Sequence, residues 1–258
     1  MQRTTGVFGF KRRRRERRRR QPLPSEWLAV IERNVPYYRR LTPDKRRELH
    51  GLIQVFLAEK QFMGCGGLEI TDEMRVTIAA QACILLLGRE TDFYPMLQSI
   101  LVYPQAYVAQ ISQRQPDGTV VEGPQPRLGE AWRRGPVVLS WDDVLRAASD
   151  VHDGRNVVLH EFAHQLDNEA GAADGAPVLP QRSMYVAWAR VLGHEYKALV
   201  EALEHQRQTV LDQYGATSPA EFFAVVTEAF FEKPVDLKAR HPELYEQLRL
   251  FYRQDPAR

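Results

Sequence analysis

Asn156-Val157-Val158-Leu159-His160-Glu161-Phe162-Ala163-His164-Gln165-Leu166-Asp167 reads as one helix, and the rest of the chain is best understood outward from it. Val157, Val158, Phe162, Ala163 and Leu166 cover most of its surface, so the helix is expected to be buried. Asp153 is the expected N-cap and Gly171 the expected stop. His160 and His164 stand at i and i+4, which turns both imidazoles off one face about one turn apart. Buried imidazoles need partners, and one metal ion held by both supplies them. Glu161 falls between the two, where a carboxylate can take a proton from water activated by the metal. The competing reading, two core histidines bonded to backbone carbonyls, does not explain a glutamate between them in so apolar a helix. The pattern therefore points to a metal-dependent hydrolase.

Catalytic zinc usually keeps three protein ligands and one open position. The extension H-E-x-x-H-x-x-G-x-x-H is excluded, because Asp167 and Ala170 stand where it needs Gly and His. A downstream glutamate is the other common solution, and Glu195, Glu201, Glu204, Glu221 and Glu228 are the candidates. The first three lie among polar neighbours such as His194, Lys197 and His205, which suits a solvated face. Glu221 and Glu228 lie in Glu221-Phe222-Phe223-Ala224-Val225-Val226-Thr227-Glu228-Ala229-Phe230-Phe231, too apolar for a surface helix, and they share a face. Each has a plain alternative. Ser218-Pro219-Ala220-Glu221 is a capping box, in which Glu221 reaches back to Ser218, and Glu228 can pair with a basic residue at the rim. Spacing alone leaves both open.

The 258 residues carry a formal net charge of +2, and 44% are hydrophobic, enough for a sizeable core. That charge is unevenly placed: residues 1–20 hold ten Lys or Arg and one Glu, leaving 25 basic and 32 acidic groups in the rest. The run Lys11-Arg12-Arg13-Arg14-Arg15-Glu16-Arg17-Arg18-Arg19-Arg20 repels itself and is expected to be disordered, and it reads equally as a segment that binds nucleic acid or an anionic membrane surface and as a solvated tail with only non-specific affinity for polyanions. Phe8 and Phe10 are weak apolar anchors at its start. Cys65 and Cys83 read as reduced thiols of a cytoplasmic protein. No apolar run is long enough for a transmembrane segment, and Gln21-Pro22-Leu23-Pro24 follows the basic run where a signal peptide would place its apolar core.

Along the chain, Ser25 and Thr42-Pro43-Asp44 open two packing helices, and Phe62 to Leu68 reads as a turn. Thr71 or Asp72 caps a long apolar helix from Met74 to Leu87, ended at Gly88. Between residues 98 and 141 the pattern turns to short strands: Ile100 to Tyr103, Tyr107 to Ile111, Thr119 to Val121 and Val137 to Trp141. Helices return at Met184 to Gln206 and Pro219 to Phe231. The fold class is α+β, with a small mixed sheet before the active-site helix.

Four stretches together resemble the Mlc titration factor A family of bacterial zinc peptidases: His160 to Asp167, Gly64-Cys65-Gly66-Gly67-Leu68-Glu69-Ile70-Thr71-Asp72-Glu73-Met74, Gly135-Pro136-Val137-Val138-Leu139-Ser140-Trp141, and Tyr214 followed by Pro219-Ala220-Glu221-Phe222-Phe223. The resemblance covers about residues 22 to 255. It implies a zincin-like gluzincin, with a catalytic core similar to that of anthrax lethal factor, acting as an aminopeptidase on peptide substrates. It further implies one zinc ion held by His160, His164 and Glu221, with Glu161 as general base, Tyr214 stabilising the transition state and Glu228 orienting a histidine from behind. A regulatory role, sequestering a transcriptional repressor of sugar uptake, is the alternative that the same family implies. The chain then divides into a disordered basic tail at 1–21, a helical N-terminal part of a single domain at 22–92 and the zincin-like catalytic part at 93–258. The length of the basic run is where the chain departs from the family.

Overall fold

Three short strands form the platform on which the site helix rests. β1 (Gln61–Gly64), β2 (Ser99–Tyr103) and β5 (Val137–Ser140) make a parallel sheet in the order β1-β2-β5, with Phe62 opposite Ile100 and Ile100 opposite Val137. Ile100 and Val102 of β2, and Val137 and Leu139 of β5, point into the core, while Val138 between them faces out; this is the period of two that a half-buried strand requires. β3 (Gln110–Arg114) and β4 (Val120–Pro124) pair antiparallel as a separate sheet. Parallel and antiparallel pairing, expected in one mixed sheet, are thus divided between two. This computed structural model describes residues 5–105, 110–114, 120–124, 135–149, 153–169, 171 and 173–258. The strand expected from Tyr107 and the one expected from Thr119 therefore begin outside the described residues.

The helices are α1 (Thr5–Arg19), α2 (Ser25–Asn34), α3 (Pro43–Glu59), α4 (Asp72–Ile84), α5 (Trp141–Ser149), α6 (Val157–Asn168), α7 (Met184–Glu204), α8 (Pro219–Glu232), α9 (Pro234–Arg240) and α10 (Pro242–Tyr252). The fold is α+β and mostly helical. Thr42 and Thr71 cap α3 and α4 as expected, accepting hydrogen bonds from the backbone of Lys45 and Met74. α4 is buried from Val76 to Ile84, and α6 packs on it and on α8. Phe162 of α6 seals that core: its ring lies 4.9 Å from Tyr94 and 5.7 Å from Phe56. No described helix is long and apolar enough to cross a membrane.

Four expectations need correction. First, residues 5–19 are helical where disorder was expected. The Arg15 guanidinium forms a two-pronged bond to Glu59 at 2.9 and 2.7 Å and also meets the Asp92 carboxylate, and Lys11 reaches Asp92 at 3.0 Å. Arg15 and Arg19 lie over the Phe93 ring at 4.6 and 5.3 Å. Carboxylates from far along the chain offset the self-repulsion on which disorder was argued. Second, Gln61–Gly64 is a strand, in a stretch expected to be wholly helix and turn; it is mostly exposed, so no alternation marks it. Third, Trp141 starts a helix where a strand end was expected, with Asp142 and Asp143 in its first turn and Ser140 Oγ accepting from Asp143. Fourth, Asn156 caps α6 instead of Asp153: its Oδ1 accepts from Leu159 at 3.0 Å. Gly154 has φ +77°, and this bend uses Asp153 in a turn onto Arg155 before helical geometry begins.

Candidate metal centre

Where α6 meets α8, three ligand atoms face one another. His160 Nε2 lies 3.0 Å from Glu221 Oε2 and 3.2 Å from His164 Nε2, and His164 Nε2 lies 3.3 Å from the same Glu221 oxygen. α6 turns both imidazoles to one side, as the i, i+4 spacing demands. α8 delivers Glu221 because Ser218 caps it, with Oγ accepting from the Glu221 backbone at 3.2 Å, and Pro219 occupies the first turn. The capping box is half made. The Glu221 carboxylate turns to the histidines, so the return bond to Ser218 gives way to the site.

Zinc bound at about 2.0 to 2.1 Å with tetrahedral angles separates its ligand atoms by about 3.3 Å. The three observed edges fall at or just inside that value, so these residues fit the ion. His160, His164 and Glu221 are a group that could hold a metal, His160 and Glu221 buried and His164 half-buried.

Behind His160 stands Glu228, one Oε accepting from Nδ1 at 2.7 Å and the other from the backbone N–H of Asn156. With Nδ1–H given to Glu228, Nε2 is the ring nitrogen left facing Glu221 and His164. Burial disfavours a charged His160, yet hydrogen bonds to Glu221 and Glu228 override it and push the imidazole up to about 10. Burial also raises Glu221, but bonds from His160 and His164 hold it down at about 2. The corner is built to keep positive charge between its nitrogens and carboxylates. Glu161 is buried on the same helix, and loss of solvent raises its carboxyl above the ordinary range in spite of the two histidines.

Tyr214 sits on a 3-10 turn, Gln213–Ala216, with its ring 6.0 Å from the His160 ring. Asp212 caps that turn through the Tyr214 N–H at 2.9 Å and pairs with Arg155 at 2.7 Å. This pair ties the tyrosine turn to the residue just before the α6 cap. An open cleft of about 440 Å³ lies beside His160, Tyr214 and Glu228, with Asp143, Arg146 and Arg155 on its wall.

The structure therefore brings together His160, Glu161, His164, Glu221, Glu228 and Tyr214. Glu201 and Glu204 lie exposed on α7 as expected, whereas Glu195 is half-buried and bonded to His241 at 2.8 Å. Sequence reasoning missed Asn156, Arg155, Asp212 and Asp167. Asn156 carried a signal, since asparagine is a strong cap residue directly before an apolar helix. Asp167, fully buried, accepts from Gly175 at 2.9 Å, and Trp188 Nε1 donates to the Gly175 carbonyl at 3.0 Å. Gly175 has φ +80°, and a Cβ there would come 2.5 Å from the Pro219 carbonyl, so the loop after α6 is pressed against the start of α8.

A family model described as glucose-regulated metallo-peptidase M90 matches residues 10–253. An uncharacterized protein of Synechocystis is 46% identical over 246 residues, covering 94% of this chain and 89% of its own. The Mlc titration factor A of Serratia proteamaculans is 35% identical, covering 84% of each chain, and that of Pectobacterium atrosepticum 33% identical, covering 89% of this chain and 86% of its own.

Proposed function

This chain belongs to the glucose-regulated metallopeptidase family M90, and from that premise we propose that it is a zinc-dependent aminopeptidase holding one zinc ion through His160, His164 and Glu221. The observation that carries the reading is the triangle of ligand atoms at 3.0, 3.2 and 3.3 Å. Two imidazoles and one carboxylate favour zinc over calcium or magnesium. Bound there, zinc supplies Lewis-acid chemistry, polarising the scissile carbonyl and making water nucleophilic near neutral pH.

The chain's own residues do the rest. Glu161 takes the proton of the attacking water, and its raised carboxyl suits it to pass that proton to the leaving amine. The Tyr214 hydroxyl donates a hydrogen bond to the oxyanion as it develops. Glu228 fixes the tautomer and orientation of His160. Free thiols at Cys65 and Cys83 support a cytoplasmic setting.

The test is hydrolysis of a series of chromogenic amino-acid anilides beside the same compounds with acetylated N-termini. Turnover of the free amines alone is expected; equal turnover of blocked substrates would assign internal cleavage. The Serratia and Pectobacterium relatives are named as titration factors of Mlc, which supports as a second reading the regulatory role that the family resemblance implies, sequestering a transcriptional repressor. Glu161→Gln should cut hydrolysis by a factor of about 10² to 10⁴ and leave such binding intact.

A further inference from the structure

Docking sorts the arginines of α1 into two sets. Arg15 and Arg19 turn inward, onto Glu59, Asp92 and Phe93, and Gly51 of α3 lets the α1 backbone come close: a Cβ there would lie 3.0 Å from the Arg19 carbonyl. Arg12, Arg13, Arg17, Arg18 and Arg20, which follows the last residue of α1, remain on the solvent side, all exposed, and Arg14 joins them at 60% accessible although it also comes 4.0 Å from Glu59; Arg19 is exposed as well but lies over Phe93. Glu16 is the one acidic residue among them, 3.7 Å from Arg20.

We infer that the outer face of α1 is a docking surface for duplex nucleic acid, held through its phosphates without base readout. The stretch from Arg12 to Arg20 spans about 12 Å of helix, and duplex DNA presents about seven phosphate charges over that length. Six outward guanidiniums match that density. An anionic bilayer is the weaker fit, because a helix lying on a membrane turns an apolar face along its length to the lipid; the large apolar residues of α1, Val7, Phe8 and Phe10, all fall at its N-terminal end, and none follows Phe10 up to Arg20. The rest of the chain, with 25 basic and 32 acidic groups, repels polyanions, so the surface must act alone. Because α1 is anchored by its own arginines, the array is held in one geometry and loses little freedom on binding.

The experiment is fluorescence anisotropy of a labelled 20-base-pair duplex with the full chain, from 50 to 200 mM salt, beside flotation with phosphatidylserine vesicles. With six phosphates engaged, affinity should fall about 10³-fold across that range, a log–log slope near −5. The variant Arg13→Gln/Arg17→Gln/Arg20→Gln keeps helix propensity and both inward arginines; its slope should drop to about −3, with weaker binding throughout. Circular dichroism of the variant confirms that the helix survives. Absence of duplex binding at 50 mM salt, unchanged binding by the variant, or vesicle attachment without duplex binding would each overturn the proposal.

Discussion

The corner where α6 meets α8 and the surface where α1 lies on α3 both press carboxylates against nitrogen groups, but they do so under different solvent conditions. At the corner Glu221, Glu228 and His160 are each less than a tenth exposed, and every charge there answers to another buried one. On the α1 surface Glu59 and Arg15 are 13% exposed while Asp92 and Lys11 are about half exposed, at 54% and 46%. Buried groups of this kind are costly to leave unpaired, whereas exposed pairs contribute little and weaken with salt. The first arrangement should therefore be sensitive to single-atom changes and the second tolerant of them.

That contrast can be broken at several points, starting with the largest effect. Glu221→Gln keeps the shape of the site and removes a charge, so bound metal should fall from one per chain to near zero and hydrolysis with it, as read by elemental analysis. Tyr214→Phe should lower kcat about 10² to 10³-fold, the loss typical of one oxyanion donor, with KM nearly unchanged. Arg155→Ala should produce a smaller fall that does not add to that of Tyr214→Phe, since Arg155 acts, through Asp212, by placing the hydroxyl that Tyr214→Phe removes. Glu228→Gln should weaken metal affinity about 10 to 100-fold, measured by competition with a chelating dye.

The smallest effect belongs to α1. Arg15→Ala should cost about 1 kcal/mol, seen as faster amide exchange confined to residues 9–20. The same segment should respond to acid. Burial raises Glu59 and Asp92, but the bonds from Arg15 and Lys11 outweigh it and hold both carboxyls below their ordinary values of 4.5 and 3.8. Their stabilising contribution is thus complete above those values and lost as pH falls through the lower folded ones, while Arg15 stays charged. Exchange in α1 should accelerate below about pH 4 in the wild type and show no such step in Arg15→Ala.

The residues of the corner where α6 meets α8 stand out in the sequence because its geometry is local. His160 and His164 share one helix, and Glu221 and Glu228 share another whose apolar run has no other use for carboxylates. Spacing could not divide roles between Glu221 and Glu228; the turn of the first away from Ser218, and the contact of the second with His160 Nδ1, are facts of packing. The α1 dock was not legible, since Arg15 finds Glu59 and Asp92 at separations of 44 and 77 residues. For the same reason the Arg155–Asp212 tie, 57 residues apart, carried no signal. β1 escaped because an edge strand that is mostly exposed shows no alternation, and the cap of α6 was misplaced because Gly154 delays helical geometry to Val157.

The most direct test of zinc peptidase chemistry at this corner is metal content and amino-acid anilide turnover measured together for wild type and Glu161→Gln. One zinc per chain in both proteins is expected, with turnover in the variant reduced by a factor of about 10² to 10⁴. Wild-type protein that takes up no zinc, or a variant as active as wild type, would contradict it.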